Sequence, residues 1–170
     1  MKKETRDYLG SIVLGINDAL VELTGALAGL TLAFANGRII IISGFITGFA
    51  ASLSMAASEY LSVKTESMSR RTNIRWRNAK TAALYTGLAY LLTVLLLLFP
   101  YLLVSNVYYA LCWAIFNSII VIFSFTYYTS RSKNGEFYRR FFEMVTISLG
   151  VATISFGLGY LLRIFVGIKI

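Results

Sequence analysis

Two runs decide how this chain folds: Ser11–Ala35, SIVLGINDALVELTGALAGLTLAFA, and Ile39–Lys64, IIIISGFITGFAASLSMAASEYLSVK. Each is apolar enough, and longer than the roughly 20 residues a helix needs, to cross a bilayer. Each nevertheless carries acid. Asp18 and Glu22 lie inside the first, and Glu59 lies with Met55 in the last third of the second. A carboxylate at bilayer depth costs about 2.5–3.5 kcal/mol on insertion scales, so it is retained where it faces protein or water. Three of the chain's eight acids are placed this way.

Spacing assigns them a face. Ser11, Gly15, Asp18, Glu22, Gly25 and Gly29 recur in steps of four and three, as do Gly44, Gly48, Ala51, Met55, Ser58 and Ser62, with Glu59 beside the second seam. A seven-residue rhythm keeps one helical stripe toward a partner helix, and small residues on it let backbones approach closely in lipid. Asp18 and Glu22, four apart, share that face. Small-residue packing explains the glycines and serines. It does not explain the acids, because alanine or serine would pack there without a charge.

Outward from these runs, the 170 residues are 57% hydrophobic with a mean hydropathy of +0.69. That composition predicts an all-α polytopic membrane protein of one domain, 1–170. Five spanning helices are expected, at approximately 10–35, 39–63, 80–99, 104–128 and 144–168. The net charge of +8 is topogenic. Lys2, Lys3 and Arg6 precede the first span, and Lys64, Arg70, Arg71, Arg75, Arg77 and Lys80 lie between the second and third. Arg131, Lys133, Arg139 and Arg140 lie between the fourth and fifth, while only Arg38, Arg163 and Lys169 fall on the other side. Thirteen against three predicts a cytoplasmic N-terminus and an external C-terminus. The same placement argues against a nucleic-acid partner. Ala33-Phe34-Ala35 has the look of a signal-peptidase site, but the preceding run is too long and too acidic for a signal, so no cleavage is expected.

The rest of the chain reads as scaffold. The third span has no acidic or basic side chain beyond Lys80, ends at Pro100 (the single proline), and is expected to face lipid. Tyr101, Tyr108 and Tyr109 suit the outer interface, and Trp76, Tyr127 and Tyr128 the inner one. Asn117 and Ser118 are expected to bond between helices, and Cys112, the only cysteine, to be a small buried residue. The second helix is free to continue past Lys64, where Glu66 and Arg70 are four apart. EFYRRFFE (Glu136–Glu143) reads as a short helix in the inner interface, with Glu136–Arg140 and Arg139–Glu143 as ion pairs. Gly150, Gly157 and Gly159 are expected to pack closely.

With no histidine in the chain, histidine acid–base chemistry and histidine metal ligation are excluded, and no nucleophile–base pairing suggests an enzyme. Counting 1.5 Å per residue, Asp18 lies about 13 Å above the inner end of the first helix, and Met55 about 12 Å above that of the second. Glu59 falls below this level and Glu22 above it. Oxygen ligands alone suit Mg, Ca or Mn, and a thioether shifts preference toward softer ions such as ferrous iron. A carboxylate in low dielectric can also exchange a proton for a cation. Asp18, Glu22, Met55 and Glu59 are therefore the candidate metal-binding residues of a transporter.

The stretches NDALVELTGALAGL (Asn17–Leu30) and ITGFAASLSMAASEYLSVKTE (Ile46–Glu66) resemble the vacuolar iron transporter family, the yeast calcium-cross-complementer and nodulin-21-like group. The resemblance is strong over the first two helices and rests on the five-helix layout elsewhere. It implies a homodimer with an ion path between subunits, and proton-coupled movement of Fe(II), often also Mn(II), out of the cytosol. Asp18 matches the family's aspartate on the first helix, and Met55 and Glu59 its second-helix signature. The metal is then transported substrate, and no cofactor is expected. Ala19 stands where the family usually has glycine, and Glu22 where a small or uncharged residue is usual. The link between the second and third helices lacks the long glutamate-rich metal-binding insertion of well-known eukaryotic members, which leans toward a prokaryotic plasma membrane. Two other readings stay open: a small proton-coupled exporter of organic cations, and a structural membrane dimer around a fixed ion.

Overall fold

The computed structural model of the chain describes residues 8–69, 78–130 and 137–166. These form five helices and, among the described residues, no strand: α1 (Leu9–Phe34), α2 (Gly37–Ser69), α3 (Ala79–Leu103), α4 (Val107–Ser130) and α5 (Phe137–Val166). All five are long and apolar enough to cross a membrane. Lys2, Lys3, Arg6, Arg70, Arg71, Arg75, Trp76, Arg77, Arg131, Lys133, Glu136 and Lys169 lie outside the described residues.

Short connections force neighbours to alternate in direction. The α1–α2 turn needs two residues. Ala35 takes a left-handed conformation (φ 47°) and its N–H caps the Thr31 carbonyl. Asn36 Oδ1 then accepts from the N–H groups of Arg38 and Ile39, opening α2. Asn106 does the same for α4 through Tyr108, and Asn78 for α3 through Lys80. Side-chain oxygens at these starts satisfy the N–H groups that a helix leaves unbonded.

α1 and α3 lie at the centre, α1 touching all four other helices. Tyr8 meets Asn78 at one end of α1, and Thr31 meets Tyr101 near the other, each pair 70 apart in sequence. A constant separation means α1 and α3 run parallel and in register. Gly15 is the closest approach, since a Cβ there would fall on the Thr86 carbonyl oxygen. α2 runs the opposite way along α3: Gly44 faces Leu98, Gly48 faces Val94, and Ala56 faces Gly87. α5 covers another side of α1, with Gly29 and Gly159 in backbone contact and Ser148 Oγ donating to the Leu20 carbonyl. The glycines of the α1 stripe thus serve two neighbours, Gly15 packing on α3 and Gly25 and Gly29 on α5.

Several expectations change here. α3 is no lipid-facing wall: Ala82, Thr86, Tyr90, Val94 and Leu97 are fully buried, while Leu84, Leu88 and Leu92 face outward. It also passes through Pro100 to Leu103. A proline so near the C-terminus removes one N–H bond without needing a continuing helix. Tyr101 turns inward to Thr31 (2.8 Å) instead of joining the interface belt; Tyr108, Tyr109, Tyr127 and Tyr128 are exposed. Cys112 is exposed rather than buried. The Ser118 hydroxyl donates within its own helix, to the Ile115 carbonyl. Residues from Phe137 onward belong to α5 itself and form no separate interfacial helix. Gly150 and Gly157 have open space, so of the three α5 glycines only Gly159 packs closely. α2 does continue past Lys64, to Ser69.

Candidate functional site

α1 carries two acids because its remaining surface is used up by packing. Ser11, Gly15, Ala19, Leu23 and Leu27 are buried. Asp18 and Glu22 fall on what is left, the first beside Met144 of α5 and the second beside Tyr90 of α3. Asp18 is half-buried in a shallow cleft of about 380 Å³ whose walls include Leu14, Asn17, Val21 and Met144. Asn17 and Met144 also line a second cleft, of about 430 Å³, between α1, α4 and α5, where Thr126, Arg140 and Glu143 lie. Polar groups therefore run from the Arg140–Glu143 end of α5 to the Asp18 carboxylate.

Glu22, one turn further along, is exposed. Its Oε2 accepts a hydrogen bond of 2.7 Å from the hydroxyl of Tyr90, whose ring is wholly buried on α3. Sequence reading passed over Tyr90 because it sits in a run of leucines and alanines. The available signal was its hydroxyl, since a tyrosine in the middle of a span needs a hydrogen-bond partner when buried.

Met55 is half-buried against the core on α2. Its neighbour Ala56 meets Gly87, and Gly15 meets the adjacent Thr86. α3 therefore registers the two other helices, and Asp18, three residues beyond Gly15, lies within about one turn of Met55 in height. Glu59 is elsewhere. It is 8% exposed, and its Oε1 accepts from the Ser11 hydroxyl at 2.6 Å. Thr86 Oγ1 donates to the Ser11 carbonyl, so α1, α2 and α3 are joined below the Asp18 level.

The chain thus places Asp18 and Glu22 on one face of α1, Met55 near the same height, and Glu59 in a buried contact nearer the end of α1. Among the described residues no three acids or cysteines come close enough together to hold one ion. Asp18 and Glu22 offer charge and oxygen ligands, Met55 offers a thioether, and each acid can carry a proton.

A family model described as the VIT family matches the chain over residues 9–80 and 67–160, which takes in α1 to α4 and most of α5. No curated protein matches it.

Proposed function

The chain belongs to the VIT family of membrane metal-ion transporters, and on that premise we propose that it moves Fe(II), and also Mn(II), out of the cytosol in exchange for protons. The path is lined by α1 and α2 where two copies of the chain meet. One observation carries the reading: Glu22, in the middle of a spanning helix, is exposed on the single chain. A carboxylate in that position is costly against hydrocarbon, and a second copy laid on the same face removes it from lipid. The pairing also supplies a second set of ligands, which one chain lacks.

In this reading Asp18 and Met55 form the central station. A neutral thioether beside carboxylates supports a soft divalent ion while keeping the negative charge low enough for release. Protons that replace the ion on the carboxylates then return through the membrane, giving exchange. Glu22 forms the next station outward. Glu59, held by Ser11, lies toward the cytoplasmic side, the side the positive-inside asymmetry assigns to Lys64, Lys80, Arg139 and Arg140. The host membrane is read as a prokaryotic plasma membrane.

The test uses purified protein in liposomes containing a dye quenched by Fe(II) or Mn(II), under an imposed pH gradient. Metal entry should rise with the gradient, vanish in Asp18→Asn and weaken in Met55→Ala, with dimers intact in each. Gradient-driven efflux of organic cations without metal entry would replace the reading with an organic-cation exporter. Dissociation of Asp18→Asn dimers, with no wild-type flux of either kind, would make the acids structural.

A further inference from the structure

We propose that Tyr90 is a positioning residue that holds one oxygen of Glu22, so that Glu22 meets the passing divalent cation through its other oxygen alone. The inference rests on the transport reading for its consequence, but on the chain's own geometry for its origin. The Tyr90 hydroxyl donates to Oε2 at 2.7 Å, and no hydrogen bond among the described residues reaches Oε1. The ring is 0% exposed. Its backbone N lies where α3 comes closest to α1, 3.2 Å from a Cβ built on Gly15. The tyrosine is therefore fixed to the scaffold, while the carboxylate it holds is exposed.

A carboxylate can grip a divalent ion through one oxygen or both. A hydrogen bond to an ionised oxygen is among the stronger ones, and a metal must break it to use Oε2. Tyr90 thus keeps Glu22 a one-oxygen ligand, attractive enough to draw the ion outward from Asp18 and weak enough to release it. Conduction through successive sites needs that balance, because an ion held too firmly at one of them stops the flow.

The experiment pairs Mn(II) titration of purified dimers, read by electron paramagnetic resonance, with flux in liposomes. Tyr90→Phe keeps the ring and frees Oε2. Mn(II) should bind about five- to tenfold more tightly, with a lower KM and a lower turnover together. A merely structural role would weaken binding instead. In a Glu22→Gln background the Tyr90→Phe change should lose its effect, as a double-mutant cycle requires. A chain carrying 3-fluorotyrosine, close in shape and a stronger donor, should bind Mn(II) more weakly than wild type, and serves if Tyr90→Phe folds poorly. Unchanged or weaker binding in Tyr90→Phe, or tightening that persists in Glu22→Gln, overturns the proposal. Absence of wild-type flux with the Glu22-dependent tightening intact would overturn the transport reading alone.

Discussion

Replacing Gly15 by alanine adds one methyl group where α1 and α3 touch. That methyl falls on the Thr86 carbonyl oxygen and 3.2 Å from the Tyr90 N. Both are backbone atoms of a buried helix, so neither can rotate aside, and the helices must part. Overpacking of this kind costs about 1–3 kcal/mol, while alanine returns up to about 1 kcal/mol of helix propensity. The expected net loss is about 1–2 kcal/mol. Gly150 is the matched control. Nothing lies within 4 Å of a Cβ there, so the same substitution should leave stability unchanged or raise it by up to about 1 kcal/mol. Equilibrium unfolding in mixed micelles of rising dodecyl sulfate content, followed by circular dichroism, measures both. Because parting α1 from α3 also draws Tyr90 from Glu22, Gly15→Ala should disturb metal flux and Gly150→Ala should not. Equal shifts in the two variants, or a Gly15→Ala protein as stable as wild type, would refute the registration of α1 on α3.

Three further outcomes are expected. Ala35→Gly should stabilise the protein by about 1 kcal/mol in the same unfolding assay, since a side chain in the left-handed region costs roughly that much and Ala35 has φ 47°. Tyr101→Phe and Thr31→Val should each cost about 1 kcal/mol, and the double variant should cost less than their sum because both remove the one bond at 2.8 Å. Cys112→Ser, a change at an exposed position of α4, should transport like wild type in the liposome assay.

The spans were legible because a run of some 20 apolar residues has few alternatives to a membrane helix. The two acidic helices were legible because charge at that depth demands a reason. What each helix touches was less so. A strict heptad stripe suggested one partner for α1, but its glycines divide between α3 and α5, since an ideal helix drifts about 20° per heptad. Helix α3 looked lipid-facing because leucine is equally at home in lipid and in a core, and hydropathy does not separate them. Its threonines and Tyr90, spaced on one face, were the clue to a central position. Glu59 was legible as an acid below the level of Asp18 and Met55; its bond to Ser11 was not, because it depends on a contact across two helices that spacing within one cannot reveal.

The claim of exchange is tested most directly by recording Mn(II) and lumenal pH together in liposomes clamped at zero membrane potential, with no pH gradient imposed. A Mn(II) gradient alone should then drive metal inward and protons outward, so that the lumen becomes alkaline as Mn(II) enters, and both movements should stop in Asp18→Asn. Mn(II) entry at the same rate with no change in lumenal pH would contradict the account.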